Sequence, residues 1–227
     1  MTTTAPPKAP SALYLTDNQA SCELIATVPE AFLIGFILDQ QVTVQKAFQG
    51  PSDLIDRVGT IAPKKLAAMR LDKLEAAFSE KPALHRYPRA MAQRVHEAMQ
   101  LVVDRYDGDA GKLLFTASDA DEMTKRLLEI PGFGKPKAFV VITVLALQFG
   151  MPFTGWEDKA PTWGTLGHVD SHEALKRYQH EKNAYKKARR AEGVAEATAT
   201  AEQAAKAAAQ KSTKSTRARA TSGSNKS

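Results

Sequence analysis

The stretch IPGFGK, residues 130–135, decides the fold of this 227-residue chain. Pro131 ends the helix before it, because a proline pushes the preceding residue out of the α region. Gly132 and Gly134 permit positive φ and let the backbone come very close to another surface. The next helix begins at about Pro136, where the missing N–H would have no partner in any case. The stretch therefore predicts a tight hairpin between two helices.

The end of this hairpin has the chemistry of a phosphate site. The N–H groups of Gly134, Lys135 and Lys137 are expected to face outwards at the positive end of a helix dipole, which favours anions. The two lysines add formal charge beside these groups. An ordinary turn between two helices is the alternative for an isolated P-G-x-G sequence, so the flanking sequence has to decide between them.

Hydrophobic spacing predicts helices on both sides of the hairpin. Ser118 or Asp119 caps a helix that runs to Glu129, with Glu122 near its third position. Residues 137–149 are apolar nearly all round, which is typical of a central core helix. Other predicted helices are a first one from Thr16, a buried second one from Glu30 to Phe48 stopped by Gly50-Pro51, short ones near 52–58, 63–69 and 71–79, an amphipathic one from Pro88 to Tyr106, and a last one from Ser171 to about Arg190, capped by Asp170 with Glu173.

Composition and charge divide the chain into three parts. Residues 1–12 are expected to be a disordered lead, residues 13–190 one helical domain, and residues 191–227 a disordered basic tail rich in Ala, Lys, Ser and Thr. The excess of basic residues lies in the C-terminal quarter, within a total formal charge of +6. Clustered positive charge suits a polyanion such as DNA, and a solvated basic helix is the alternative.

The single cysteine, Cys22, excludes an internal disulfide, a four-cysteine zinc site and an iron–sulfur cluster held by this chain alone. The histidines show no metal-ligand spacing with acidic residues, so no metal catalysis is expected. No run of eighteen apolar residues is present and no signal peptide is recognised. We expect an intracellular protein, cytoplasmic and nucleoid-associated or, in a eukaryote, nuclear, with no membrane association.

Three landmarks carry a family resemblance. The stretch LLEIPGFG at 127–134, followed by Ala138, resembles the helix-hairpin-helix motif of the base-excision DNA glycosylase superfamily that includes endonuclease III and 3-methyladenine DNA glycosylase II. The stretch ILDQQVTV at 37–44 and the segment 87–110 resemble helices that precede the hairpin in those enzymes. The resemblance covers about residues 20–152 and implies an all-α fold, in which two helical lobes surround a cleft for double-stranded DNA.

The same resemblance assigns roles to particular residues. The hairpin residues and one glutamine are the candidate DNA contacts, namely Gly132, Phe133, Gly134, Lys135, Lys137 and Gln41. The resemblance also implies a monovalent cation held by the backbone carbonyls of Leu128, Ile130 and Phe133. A glutamine can both donate to and accept from a base edge, although a Gln40-Gln41 pair more often bridges neighbouring helices.

Two segments of the sequence offer candidates for the catalytic carboxylate. Members that also cleave the DNA strand carry a nucleophilic lysine at the position that Pro136 occupies here, so no lyase activity is expected. The family's aspartate stabilises the cationic sugar and activates water, and family spacing places it at Glu157 or Asp158. The stretch VDSH around Asp170 resembles the family's sequence at that aspartate but lies more than ten residues too far along. We rank Asp158 before Asp170, which also has a structural explanation as a helix cap.

The sequence thus predicts a monomeric, monofunctional DNA N-glycosylase without a cofactor, acting on a modified or mismatched base. The alternative is a helix-hairpin-helix DNA-binding module that has lost its glycosylase activity. A weaker rival is a nucleoid-type protein that binds DNA mainly through its basic tail.

Overall fold

The structure is a computed structural model that describes residues 4–159 and 164–192. Over these residues the fold is helical and contains no strand, which confirms the predicted all-α class. The helices are α1 Gln19–Thr27, α2 Pro29–Leu38, α3 Val44–Val58, α4 Pro63–Ala67, α5 Leu71–Ser79, α6 Pro88–Tyr106, α7 Ala110–Phe115, α8 Ala120–Leu128 and α9 Lys135–Phe149. Two short 3₁₀ helices follow, Glu157–Lys159 and Leu166–His168.

The chain divides into two units, residues 1–179 and residues 180–227. Residues 172–179 close the first unit in helical conformation, and residues 180–192 of the second unit are helical with mostly exposed side chains. The predicted tail, 191–227, lies outside the described residues beyond 192. The hairpin and the helices around it belong to the first unit.

Helix α2 lies at the centre of the core. Every side chain from Ala31 to Leu38 is buried, as the sequence predicts for this apolar segment. Its phenylalanines meet edge to face, Phe32 with Phe36 at 4.9 Å between ring centroids and Phe36 with Phe48 of α3 at 5.0 Å. Phe149, at the end of α9, closes the cluster against Phe32 at 5.4 Å. Edge-to-face pairs of this kind stabilise a core beyond the area they bury.

The predicted single helix from Glu30 to Phe48 is wrong, because the chain breaks at residues 39–43 and starts again as α3. Thr43 caps the new helix by accepting the N–H of Lys46 at 3.3 Å. Gly50 and Pro51, expected to stop the helix, lie inside α3. A Cβ on Gly50 would lie 2.4 Å from Leu38 Cδ1, so this glycine permits close packing of α3 on α2 instead of a turn.

The N-terminal segment differs from the predicted disordered lead. Residues 4–12 are described, and Thr4 donates its N–H and its hydroxyl to the carboxylate of Asp109 at 3.0 and 2.8 Å. Lys8 donates its N–H to the carbonyl of Phe149 at 3.0 Å. Asp109 also caps α7, a helix that the sequence does not predict, by accepting the N–H of Gly111 at 2.8 Å. One carboxylate thus binds the N-terminal segment and starts a helix.

The caps of two later helices differ in outcome. Asp119 caps α8 by accepting the N–H of Glu122 at 2.8 Å, as predicted. The predicted capping box of Asp170 and Glu173 is wrong, since the hydroxyl of Ser171 accepts the N–H of Ala174 at 3.1 Å.

Among the described residues no single helix is long and apolar enough to cross a membrane. Helices α1 and α2 together reach the required length and composition, but the pair is bent by 112°.

The turn between α5 and α6 is fastened by a single guanidinium group. Arg57 of α3 donates to the carbonyls of Ala77 at 2.6 Å, Glu80 at 3.0 Å and Pro82 at 2.7 Å. Lys46 adds a bond to the carbonyl of Ala83 at 2.9 Å. Because most of these carbonyls belong to irregular backbone, side-chain donors replace the partners that a helix would supply.

Replacing Arg57 with alanine is therefore expected to lower the free energy of unfolding by about 2–3 kcal/mol, since hydrogen bonds from a charged donor are among the stronger ones. Urea unfolding followed by circular dichroism measures the loss. Arg70→Ala is the matched control, because the exposed Arg70 forms a surface ion pair with the exposed Asp72 at 2.6 Å, and its loss should leave the midpoint unchanged. Equal midpoints for both variants would contradict the assigned role of Arg57.

Candidate DNA-binding surface

The hairpin joins α8 to α9 in six residues. Gly132 has a φ of 82°, in the left-handed region that favours glycine. Gly134 has a φ of −120° and a ψ of 169°, so of the two glycines that permit positive φ only Gly132 adopts it. Phe133 is buried between them and donates its N–H to the carbonyl of Ile130 at 3.1 Å. The buried Phe133 thus anchors the hairpin in the core, while both glycines stay exposed.

The N-terminus of α9 forms the exposed end of this hairpin. Lys135 and Pro136 occupy the first helical positions and are exposed, as is Gly134 at the cap. The first N–H groups of a helix have no partner within it, and α9 has no side-chain cap that would take one. The predicted phosphate site at Gly134 and Lys135 therefore has the required exposure, dipole and charge.

Lys137 lies differently from Lys135. Its ammonium group donates to the carbonyl of Phe36 at 2.7 Å and stands over the ring of Phe133 at 5.1 Å. Phe36 belongs to the last turn of α2, where a cation is favourable next to the negative end of the helix dipole. Lys137 thus joins the hairpin to α2, and its predicted contact with phosphate stays a prediction.

Gln40 makes further hydrogen bonds at the end of α2. Its amide nitrogen donates to the carbonyl of Ile37 at 2.8 Å and its backbone N–H to that of Leu38 at 2.7 Å. Its side-chain oxygen accepts from the guanidinium of Arg94 in α6. Gln40 therefore bridges neighbouring elements, which is the more common role of such a glutamine pair, and Gln41 is left exposed.

Arg94 connects this helix end to the hairpin. A Cβ built on Gly132 would lie 3.1 Å from the Cδ, Nε and Nη1 atoms of Arg94, so the side chain packs directly against the hairpin backbone. The same guanidinium binds Gln40. Arg94 therefore joins the hairpin to the loop at residues 39–43, here called the Gln41 loop, and Lys137 joins the hairpin to the end of α2.

Comparison with known proteins decides the family. A model described as the HhH-GPD superfamily of base excision DNA repair proteins matches residues 34–223. The chain belongs to this superfamily. Neither the curated proteins nor the solved structures contain a significant match. As an HhH-GPD protein, the chain is a DNA base excision repair protein and binds DNA.

The two candidate catalytic carboxylates of this HhH-GPD protein are both exposed. Asp158 lies in the 3₁₀ helix Glu157–Lys159. Its neighbour Lys159 pairs with Asp121 of α8 at 2.7 Å and lies 5.9 Å from the ring centre of Phe139 in α9. The segment that carries Asp158 therefore contacts both helices of the hairpin pair.

Asp170 follows the second 3₁₀ helix, which packs on the later part of α9 through Gln148 and the carbonyl of Gly167, 2.8 Å apart. Asp170 accepts the hydroxyl of Ser171 at 3.2 Å, and Ser171 is the residue that caps the helix. The role of helix cap that the sequence suggested for Asp170 therefore belongs to Ser171. Both carboxylates stay candidates, and the contacts of Lys159 favour Asp158.

The carbonyl of Ile130 belongs to the predicted monovalent cation site. It accepts the N–H of Phe133, and a carbonyl oxygen has two lone pairs, so this bond is compatible with a cation there. The monovalent cation at Leu128, Ile130 and Phe133 stays a prediction. Within residues 4–159 and 164–192, no group of three or more His, Cys, Asp or Glu side chains is placed to hold a metal ion.

Sequence reasoning missed Tyr87 and Arg94 of this surface and the buried His85 behind them. Tyr87 is 43% exposed and donates its hydroxyl to the side-chain oxygen of Gln41 at 3.2 Å. His85 and Arg94 both bind Gln40. The one signal in the sequence is that these residues lie near the start of α6. Nothing in a single sequence pairs them with a loop more than forty residues earlier.

Proposed function

We propose that the chain is a monofunctional DNA N-glycosylase that removes a modified or mismatched base from double-stranded DNA, acting as an intracellular monomer, either cytoplasmic and nucleoid-associated or nuclear. The observation that supports it best is the exposed N-terminus of α9, with Gly134 and Lys135, in a hairpin that Arg94 joins to Gln40, the neighbour of the exposed Gln41. A phosphate at the helix end would hold the backbone beside Gln41, which can then reach a base edge.

The chemistry would proceed on a nucleotide turned out of the duplex. Cleavage of the N-glycosidic bond leaves positive charge on the sugar, which a carboxylate stabilises while it helps to activate water. Asp158 is the first candidate for this role and Asp170 the second. Pro136 stands at the position of the lyase lysine, and the neighbouring Lys137 binds the carbonyl of Phe36, so no imine with the sugar is proposed.

The exposure of both carboxylates supports the second candidate function, a DNA-binding module without catalysis. A glycosylase acid or base usually works in a site that excludes water, where its charge has the largest effect. Such a module would use the same hairpin and the same Gln41 loop to bind distorted DNA. The two functions differ only in whether a base is released.

An assay with purified protein separates them. Duplexes carrying alkylated, deaminated or oxidised bases are incubated with the intact chain, and abasic sites are revealed by alkaline cleavage of the strand. The glycosylase predicts an abasic site in at least one duplex and no strand cleavage without alkali. Binding to these duplexes with no abasic site in any of them would favour the module. Deletion of residues 191–227 should weaken binding only in part; a near-total loss would favour the tail as the main DNA-binding element.

The two hairpin glycines provide a direct test of the binding surface. Gly132→Ala places a side chain at positive φ and against Arg94, so we expect about 1–2 kcal/mol of strain together with weaker DNA binding. In Gly134→Ala the nearest atom to the new methyl group would be Pro136 Cδ at 3.8 Å, an ordinary contact. This variant should keep its stability and still bind DNA more weakly, because the methyl group occupies the exposed hairpin face where the phosphate is expected to sit.

Anisotropy of a labelled duplex gives the affinities, and urea unfolding gives the stabilities. Glu129 lies on the α8 side of the hairpin, where its carboxylate pairs with Arg105, and Glu129→Gln is the control. Wild-type affinity in Gly134→Ala would remove the hairpin face from the DNA-binding surface.

A further inference from the structure

His85 is a buried histidine with defined partners on both ring nitrogens. It is 2% exposed and precedes α6 by three residues. Its Nε2 lies 2.8 Å from the carbonyl oxygen of Gln40, and its Nδ1 lies 3.0 Å from the backbone nitrogen of Tyr87. A carbonyl can only accept and an N–H can only donate, so Nε2 carries the proton and Nδ1 accepts. These partners assign one neutral tautomer to the ring.

The two partners of His85 are the residues that shape the exposed part of the surface. Gln40 precedes Gln41, whose φ of 56° is unusual for a residue other than glycine. Tyr87 donates its hydroxyl to the side chain of the same Gln41 at 3.2 Å. The imidazole thus binds the Gln41 loop on one side and the backbone of Tyr87 on the other.

The surroundings of the ring oppose its protonation. Burial lowers the pKa of His85 below its ordinary value, and the positive charges of Lys46 and Arg94 lower it further, against hydrogen bonds to the carbonyls of Gln40 and Leu38 that raise it. The charged groups that face the ring are therefore Lys46 from α3 and Arg94 from α6, both cationic. A proton on Nδ1 would place two donors, Nδ1–H and the N–H of Tyr87, against each other across 3.0 Å.

We propose that neutral His85 is the positioning residue that holds Gln41 and Tyr87 in the arrangement presented to DNA. Protonation of its imidazole breaks the bond from the Tyr87 N–H, while Nε2–H still donates to the carbonyl of Gln40, and so releases Tyr87 together with its hydroxyl hydrogen bond to Gln41. This inference rests on the proposed DNA-binding function of the Gln41 loop and adds a pH dependence to it. Because the ring is neutral in the folded state, the stability it contributes is fully present above the unfolded histidine pKa of about 6.5 and declines as the pH falls below that value.

The experiment compares His85→Gln with wild type. A glutamine side chain can donate to Gln40 and accept from Tyr87, but it does not titrate. His96→Gln is the matched control, because His96 is a half-buried histidine of α6 that binds the carbonyl of Met69 at 3.0 Å, away from the Gln41 loop. Affinity for a duplex with a tetrahydrofuran abasic-site analogue is measured from about pH 8 to about pH 5 at constant ionic strength, a range that spans histidine titration.

We expect wild type and His96→Gln to lose about tenfold in affinity over this range, the size of effect that one broken buried hydrogen bond produces. His85→Gln should bind the duplex like wild type at about pH 8, and its affinity should change less than about twofold over the pH range. In the free wild-type protein, the amide resonances of Gln41 and Tyr87 should titrate together with the imidazole of His85, and in His85→Gln they should not.

The outcomes separate this inference from the function on which it rests. An acid loss of affinity in His85→Gln equal to that of wild type, or a wild type whose affinity does not change with pH, overturns the role of His85 alone. Amide resonances of Gln41 and Tyr87 that do not move while His85 titrates also overturn it. A wild type that binds no duplex at any pH overturns the proposed function and this inference with it.

Discussion

Asp158→Asn is expected to abolish measurable base release, with a loss in rate of about 10²–10⁴, the range that a positioned general acid or base contributes. The amide has nearly the same shape as the carboxylate but carries no charge to stabilise the sugar cation. Because Asp158 is exposed, the free energy of unfolding and the DNA affinity should stay close to those of wild type. Single-turnover kinetics on the duplex that responds in the lesion assay measures the rate.

Asp170→Asn and Glu157→Gln complete the test, because family spacing or local resemblance makes each an alternative. The order proposed from the contacts of Lys159 predicts that both variants keep most of the activity. Loss of base release in Asp170→Asn alone would transfer the catalytic role to Asp170. Full activity in all three variants would show that none of these carboxylates is the catalytic one.

Phe48→Ala is expected to have the largest effect on stability, a loss of about 3–5 kcal/mol in the free energy of unfolding. The ring is fully buried, meets Phe36 edge to face at 5.0 Å, and fills the space above Gly35, where a Cβ would lie 2.4 Å from its Cδ1 atom. Alanine leaves a cavity that the rigid packing of α2 on α3 cannot close. Chemical denaturation measures the loss.

Phe48→Leu is the control that separates volume from burial. Leucine retains most of the apolar volume, so its cost should be clearly smaller than that of alanine. Phe48→Ala is also expected to affect DNA binding, since α2 carries the Gln41 loop at its end. A loss below about 1 kcal/mol in Phe48→Ala would show that this ring does not belong to the closed core.

The hairpin shows how far local sequence can predict a site. Proline before Gly132 and the glycine itself are constraints on neighbouring backbone angles, so the turn and its positive φ follow from the sequence alone. The sequence permits positive φ at Gly134 as well, but this glycine adopts an extended conformation at the cap of α9.

The break between α2 and α3 shows the opposite limit. A mostly apolar segment with no strong breaker at Asp39 predicts one continuous helix, and Gly50-Pro51 predicts its end. Tertiary contacts reverse both expectations, because Lys137 and Gln40 satisfy the last carbonyls of α2 while packing against Leu38 stabilises α3 around its proline. Propensities for single residues are small beside such packing.

The sequence by itself determined the helical class, the hairpin, the buried character of α2 and α9, and the family resemblance, because these depend on spacing between residues close in the chain. Only the tertiary structure decided that Lys137 binds α2, that Gln40 is a bridge while Gln41 is exposed, and that Tyr87, Arg94 and the buried His85 contact the Gln41 loop. These contacts join residues that lie about 45 to 100 positions apart. Their pairing follows from the packing of whole helices, and no local pattern in the chain encodes it.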